Sequence, residues 1–130
     1  MTETRAALHA QLQAESPLPL RLESMPLPGG YTLFEDEFVA RSAKDWGISS
    51  QPVMLTTQRL ILSAAQGATV IRLRDITSVT YKKSFIGYAK VVIEVAGGDR
   101  IGLPAYINGE QARRDIAAMV EFARRSPPGN

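Results

Sequence analysis

The hydrophobic pattern of this chain changes period once, and that single change limits the folds open to it. From Tyr31 to Pro104 apolar residues tend to recur at every second position, the spacing that places side chains alternately on the two faces of a strand. Alternation is clearest at Ile71 and Leu73 against Arg72 and Arg74, at Val91, Ile93 and Val95 against Lys90, Val92 and Glu94, and at Ile101 and Leu103 against Arg100 and Gly102. It predicts strands near 31–40, 52–56, 59–64, 69–74, 77–84, 89–96 and 99–104. Thr57-Gln58, Gln66-Gly67 and Gly97-Gly98 fall between runs as tight turns, and the glycine pair supplies the positive φ that a two-residue hairpin demands. Nothing between the runs is long enough for crossover helices, so the strands form an antiparallel meander.

Beyond Asn108 the period becomes that of a helix. Ala112, Ile116, Met119, Val120 and Ala123 make one apolar stripe. Asn108 is placed as N-cap with Gln111 completing a capping-box-like pair, Glu110–Arg114 and Glu121–Arg125 have the favoured order of charges, and Pro127-Pro128 ends the helix. One amphipathic helix after a meander buries its stripe over an open end of the curled sheet. At the other end of the chain, residues 4–15 predict a short helix with Leu8 and Leu12 on one side. Pro17, Pro19, Pro26 and Pro28 then impose an extended arm over 16–30, because proline lacks a backbone donor and disfavours helix before it. Leu18, Leu20, Leu22, Met25 and Leu27 are too many apolar groups for a free linker, so the arm is expected on the sheet in cis or on the strand edge of a second copy.

The expected organisation is residues 1–30 as helix and arm, 31–126 as the domain body and 127–130 as a tail. At 130 residues, with 45% hydrophobic and 22% charged, the chain is the size and composition of one ordinary globular domain. It has no cysteine, which excludes disulfides, thiolate metal sites and a thiol nucleophile, and suits a cytoplasmic setting. No apolar run reaches the roughly 18 residues that span a bilayer, and no secretory signal is expected from the first residues, which carry acid and base and lead into no hydrophobic stretch. A formal net charge of +2 is too small to argue for nucleic acid, and no nucleic-acid partner is expected.

The segment Val53-Met54-Leu55-Thr56-Thr57-Gln58-Arg59-Leu60-Ile61-Leu62 resembles the "x-L-T-x-x-R-L-I" hairpin of GRAM and bacterial PH-like domains. It is followed by Ile71-Arg72-Leu73-Arg74-Asp75-Ile76-Thr77-Ser78-Val79, similar to their "I-x-L-x-D-I-x-S-V" strand and corner. The resemblance covers roughly residues 31–125 and implies the PH superfold, a mainly β (α+β), seven-stranded antiparallel bent barrel capped by the C-terminal helix. Within it Leu55, Leu60 and Leu62 would face inward and Asp75 would cap the corner at Ile76-Thr77. Such domains are mainly adaptors for proteins, peptides or lipid headgroups, so the resemblance gives a class of function rather than a ligand.

An inventory of reactive groups speaks against catalysis. His9 is the only histidine and stands in the first helix, where it is expected to be exposed and without partners for a metal or a triad. Glu35, Asp36 and Glu37 read as a solvated strand. Neither a phosphate-binding glycine loop nor a nucleophile elbow occurs. No enzyme, cofactor or metal is expected.

The binding candidates are Lys82, Lys83, Phe85, Ile86, Trp46, Arg41 and Lys44. Lys82, Lys83 and Lys90 flank Phe85-Ile86-Gly87-Tyr88 between the fifth and sixth strands. In the plainer reading the aromatics fold back on the sheet and the lysines stay wet; in the alternative the lysines meet anionic headgroups while Phe85 or Ile86 enters the interface. Arg41, Lys44 and Trp46 lie in the connection 41–51. Lipid-binding PH domains carry several alternating basic residues there, whereas this chain has Arg41 and Lys44 with Asp45 beside them. Trp46 and Ile48 are either an exposed anchor, or Trp46 is a lid on the barrel mouth opposite the helix. Arg113 and Arg114, with Arg72, Arg74 and Arg100, read as solvated charge. The expectation is therefore a non-catalytic module that binds a protein or peptide, including a second copy of itself, through a sheet edge or the helix–strand groove. Weak peripheral attachment to an anionic membrane is the alternative.

Overall fold

The computed structural model describes residues 2–64, 67–105 and 107–125; the Gln66 turn, the prolines expected to end the last helix, and the tail lie outside them. Among the described residues the fold is mixed α+β, with seven strands in two antiparallel sheets and two α-helices. Helix α1 (Thr2–Glu15) and the arm lead into β1 (Val39–Ser42), β2 (Val53–Thr56), β3 (Arg59–Ala64) and β4 (Gly67–Arg72), which form a four-stranded meander. A second meander follows, of β5 (Ile76–Lys83), β6 (Ala89–Val95) and β7 (Arg100–Pro104), and helix α2 (Gly109–Arg125) closes the chain.

The two sheets are not closed into the single barrel that the meander suggested. The chain turns between them through one 3₁₀ turn at Leu73–Asp75, whose leucine is fully buried. Leu73 N–H donates to Gln58 O at 2.9 Å, and Ala96 N–H donates to Asp75 O at 2.7 Å. Those bonds tie the corner to the β2–β3 turn on one side and to the β6–β7 turn on the other. The Asp75 side chain does not cap this corner as expected; it pairs with exposed Arg72 at 3.0 Å.

Inward residues of both sheets share one core. Val53, Leu55, Leu60, Leu62 and Ile71 meet Ile76, Val91, Ile93 and Leu103, and the α2 stripe of Ala112, Ile116, Met119, Val120 and Ala123 completes the cluster. Helix α2 packs on β5, β6 and the 73–75 corner. Gly109 opens it because a side chain there would strike the ring of Tyr81, with Cδ1 only 2.8 Å from an added Cβ. Gln111 does not close a capping box but donates to Asp115, and Glu110 pairs with Arg113 rather than Arg114.

The arm packs in cis. Leu18 and Leu20 join the main core, while Leu27 caps Val39, Met54 and Ile61 on the opposite face of the first sheet, with Met25 and Leu33 beside them. Leu22 alone of the arm's apolar residues stays exposed. Helix α1 satisfies the arm's polar backbone: Gln13 accepts from Leu20 N–H at 2.6 Å and donates to Leu18 O at 3.1 Å. His9, expected in solvent, is instead part-buried, with its ring edge-on to Phe38 at 5.3 Å. Its Nε2 lies 2.7 Å from Leu20 O, and because a carbonyl only accepts, that nitrogen carries the proton.

The largest departure from the sequence pattern is the first strand. Residues 31–38 are not a ladder; Glu37 N–H closes a turn onto Phe34 O at 3.1 Å, and pairing begins only at Val39. With no strand there, the Glu35-Asp36-Glu37 trio does not alternate in and out. Glu37 is fully buried, and Arg59 grips it at both oxygens, Nη2 to Oε1 at 2.6 Å and Nε to Oε2 at 2.8 Å. Thr56 donates its hydroxyl to the same carboxylate at 2.6 Å and accepts from the Gln58 and Arg59 N–H groups.

Three buried leucines in the arm, each worth about 1.5–3 kcal/mol, make residues 1–28 part of the fold. Deleting them should lower the melting temperature by on the order of 15 °C or more, measured by circular dichroism. An unchanged melting temperature and mass would show that the arm is dispensable.

Candidate binding surface

Strands β5 and β6 pair as far as Lys83 opposite Ala89, and residues 84–88 turn the hairpin. Gly87 N–H donates to Ser84 O at 3.3 Å, Ser84 N–H to Tyr88 O at 2.8 Å, and Gly87 takes a φ of +96° that favours glycine. This leaves Phe85 and Ile86 at the two central positions of a tight turn, which project from the end of the ribbon. They cannot fold back on the sheet, and the plainer sequence reading gives way. Relative exposure is 106% for Phe85, 76% for Ile86 and 66% for Tyr88.

A second segment reaches the same end of the sheet. Ala105 N–H donates to Ala89 O at 3.2 Å, tying the start of the β7–α2 loop to the base of the hairpin. Two residues on, Ile107 is 80% exposed. Sequence reasoning passed over Ile107, although an apolar residue outside both the two-residue and the helical repeat was a usable signal.

The cations around this tip are all lysines. Lys82 faces Lys90 across the ladder, so both lie on one face, and Lys83 lies on the other. Like charges opposite each other on adjacent strands are mildly destabilising. None of the three has an ion pair among the described residues. No Asp or Glu occurs between Asp75 and Glu94.

The remaining sequence candidates do not join this surface. Trp46 is buried, not an exposed anchor, and its indole N–H donates to Asp115 at 2.9 Å. Ile48 is buried as well, so neither is an exposed anchor, and the bond to Asp115 puts Trp46 against α2 rather than opposite it as a lid. Arg41 also turns inward, with Nε 3.1 Å from Asp115. Asp115 accepts from Gln111 too, and so sits on the buried side of α2 with its charge matched by three donors. Its place three residues after Ala112 put an acid on the apolar stripe, the one visible sign of this cluster. Lys44 points outward from the 3₁₀ turn Ala43–Trp46, at the rim of a shallow depression formed with Gly47, Ile48 and residues 49–52. It is separated from Arg41 in direction, and the two do not form one basic site.

Beside Lys44, Asp45 ties the arm to this turn through Arg21 at 2.6 Å. Partial burial pushes the Asp45 carboxyl up, but the Ser42 backbone N–H and the Arg21 guanidinium outweigh it and hold the group below its ordinary range. A depressed carboxylate contributes stability that is present above its unfolded pKa and fades as pH falls through the folded one.

Among the described residues no helix is long and apolar enough to cross a membrane, and no group of three His, Asp or Glu side chains could hold a metal ion. No protein-family model matches the sequence, and the curated proteins contain no match to it.

The tip and the Asp115 cluster should respond oppositely to mutation. Phe85→Ser with Ile86→Ser should change unfolding free energy by no more than about 0.5 kcal/mol, whereas Asp115→Ala should cost about 3 kcal/mol by stranding Arg41 and Trp46. Urea denaturation of the two variants measures both.

Proposed function

We propose that the chain is a non-catalytic, PH-like interaction module that attaches to its partner by the β5–β6 hairpin end. The observation that carries this reading is the outward display of Phe85, Ile86, Tyr88 and Ile107 at one end of a sheet whose other apolar groups are largely packed. Apolar side chains displayed together at the end of a ribbon are a recognised mark of a binding role.

Two further observations support the parts of this proposal. The PH-like part is favoured by the order of elements, a four-stranded meander, a three-stranded meander and then one helix packed on the second sheet and the corner between them. The "T-x-x-R" positions of the resembling hairpin, Thr56 and Arg59, also serve one structural purpose in holding Glu37. The non-catalytic part is favoured by the employment of the interior polar groups. Glu37 is held by Arg59 and Thr56, Asp115 by Arg41, Trp46 and Gln111, and His9 by Leu20 O. Among the described residues no buried side-chain nitrogen or oxygen lacks a hydrogen-bond partner. A general base needs an accessible lone pair, and the buried carboxylates of Glu37 and Asp115 spend theirs on structural bonds.

A binding role at this end is favoured over the sheet edge next to the arm, since Arg21 N–H already occupies Val39 O of β1 at 2.9 Å. Photo-crosslinking tests the assignment in living cells. A benzophenone side chain at position 85 should give covalent adducts, and one at Asp99, in the turn at the opposite end of β6, should not. Equal yields at the two positions would refute the hairpin end as the contact surface.

A further inference from the structure

We infer that the partner of the hairpin end is an anionic lipid bilayer, with Phe85 and Ile86 entering the interfacial layer and Lys82, Lys83 and Lys90 held over the headgroups. The inference rests on the hairpin end being the contact surface and adds the identity of what it touches.

Shape is the first argument. The apolar groups sit on the convex apex of a β-ribbon rather than in a groove or on a flat face. A convex apex buries little area against another folded surface, since stable protein interfaces need about 800 Å² per partner. A bilayer interface yields around an inserted side chain, so two or three apical residues can be buried fully there. Tyr88, one position past the turn glycine, has the amphipathic ring suited to the headgroup level.

Charge is the second argument, and it is independent of the first. The tip carries three lysines that have no ion pair among the described residues and no arginine, with no acid from Ile76 to Ile93. Arginine is enriched in protein interfaces and lysine depleted, because the planar guanidinium makes fixed bidentate contacts. Lysine is a flexible, strongly hydrated point charge that interacts with a diffuse negative surface without a fixed register. The chain's arginines are spent elsewhere: Arg59 on Glu37, Arg41 on Asp115, Arg72 on Asp75, Arg113 on Glu110 and Arg100 near Glu94. Lys82 and Lys90 also face each other across the ladder, an arrangement that costs stability in isolation and is relieved beside a negative surface.

Lysines on both faces of the ribbon fix the pose. With Lys82 and Lys90 on one side and Lys83 on the other, the cations surround the shaft behind the apex, so the ribbon meets the membrane end-on.

The test is sedimentation of the full chain with vesicles of phosphatidylcholine alone or with about one-third phosphatidylserine, over a salt series. Binding should appear on the anionic vesicles, stay at least ten-fold weaker on the neutral ones, and fall as salt screens the surface. Lys82→Glu with Lys83→Glu should reduce partitioning by at least roughly ten-fold, and Phe85→Ser with Ile86→Ser should do the same with the melting temperature unchanged. A Phe85→Trp variant should show blue-shifted emission on the anionic vesicles and quenching by lipid-borne quenchers. No binding at low salt, or equal binding to both vesicles, overturns the membrane assignment. If position 85 still crosslinks in cells while vesicles fail, and the adducts are protein, the contact surface stands and its partner is a protein. If neither vesicles nor crosslinks report the tip, both readings fall.

Discussion

A buried ion pair ties the irregular entry of the domain to its first sheet. Glu37 has no solvent exposure, and the Arg59 side chain that grips it through two hydrogen bonds is only 8% exposed. Charges withdrawn from water this completely are tolerable only when every lone pair and proton is engaged. That condition recruits the surroundings. Thr56 donates from the β2–β3 turn, Phe34 N–H donates to Oε1, and Arg59 reaches on to Thr32 O. Phe34 lies over the guanidinium at 4.2 Å, and Arg5 of α1 donates to the carbonyls of Glu35 and Glu37. One carboxylate thus fastens the irregular 31–38 segment to the β2–β3 hairpin, and Arg5 ties the first helix to the backbone of the same segment.

A second enclosed acid plays the same part at the other end of the core. Asp115 joins α2 to β1 through Arg41 and to the 3₁₀ turn through Trp46. The two clusters account for the buried charges among the described residues, and their effect on function is indirect. They lock the body into one arrangement, so that the β5–β6 ribbon is presented from a rigid base. The tip itself carries none of that work. Its residues contact solvent, and the fold keeps them outside by the turn geometry at Ser84 and Gly87.

The elements governed by periodicity were legible from residues alone. The stripe on α2, the antiparallel order of the strands, the positive φ of Gly97 and Gly98 and the need to bury the arm's leucines each follow from a pattern that local chemistry enforces, while the choice of this chain over a second copy for the arm did not. What escaped was set by long-range charge. Glu37 reads as one acid among three on an exposed strand, because the arginine that buries it lies 22 positions away. Arg41 reads as a surface group and Trp46 as either an anchor or a lid for the same reason, their acid being at position 115. The open seam between the sheets was hidden too, since backbone bonds at the 73–75 corner leave no trace in hydropathy. At the candidate surface, Lys82, Lys83, Phe85 and Ile86 were identified by type and spacing, but whether the aromatics turn in or out depended on the turn.

A double-mutant cycle on Glu37 and Arg59 measures how much of the fold this pair organises. Each single replacement, Glu37→Gln or Arg59→Met, should cost about 3–5 kcal/mol by leaving its partner buried alone. The double replacement should cost clearly less than their sum, with a coupling of about 1–3 kcal/mol in urea denaturation. Additive losses, or singles that cost no more than a typical surface substitution, would mean that the two side chains merely sit together and that the fold is held by something else.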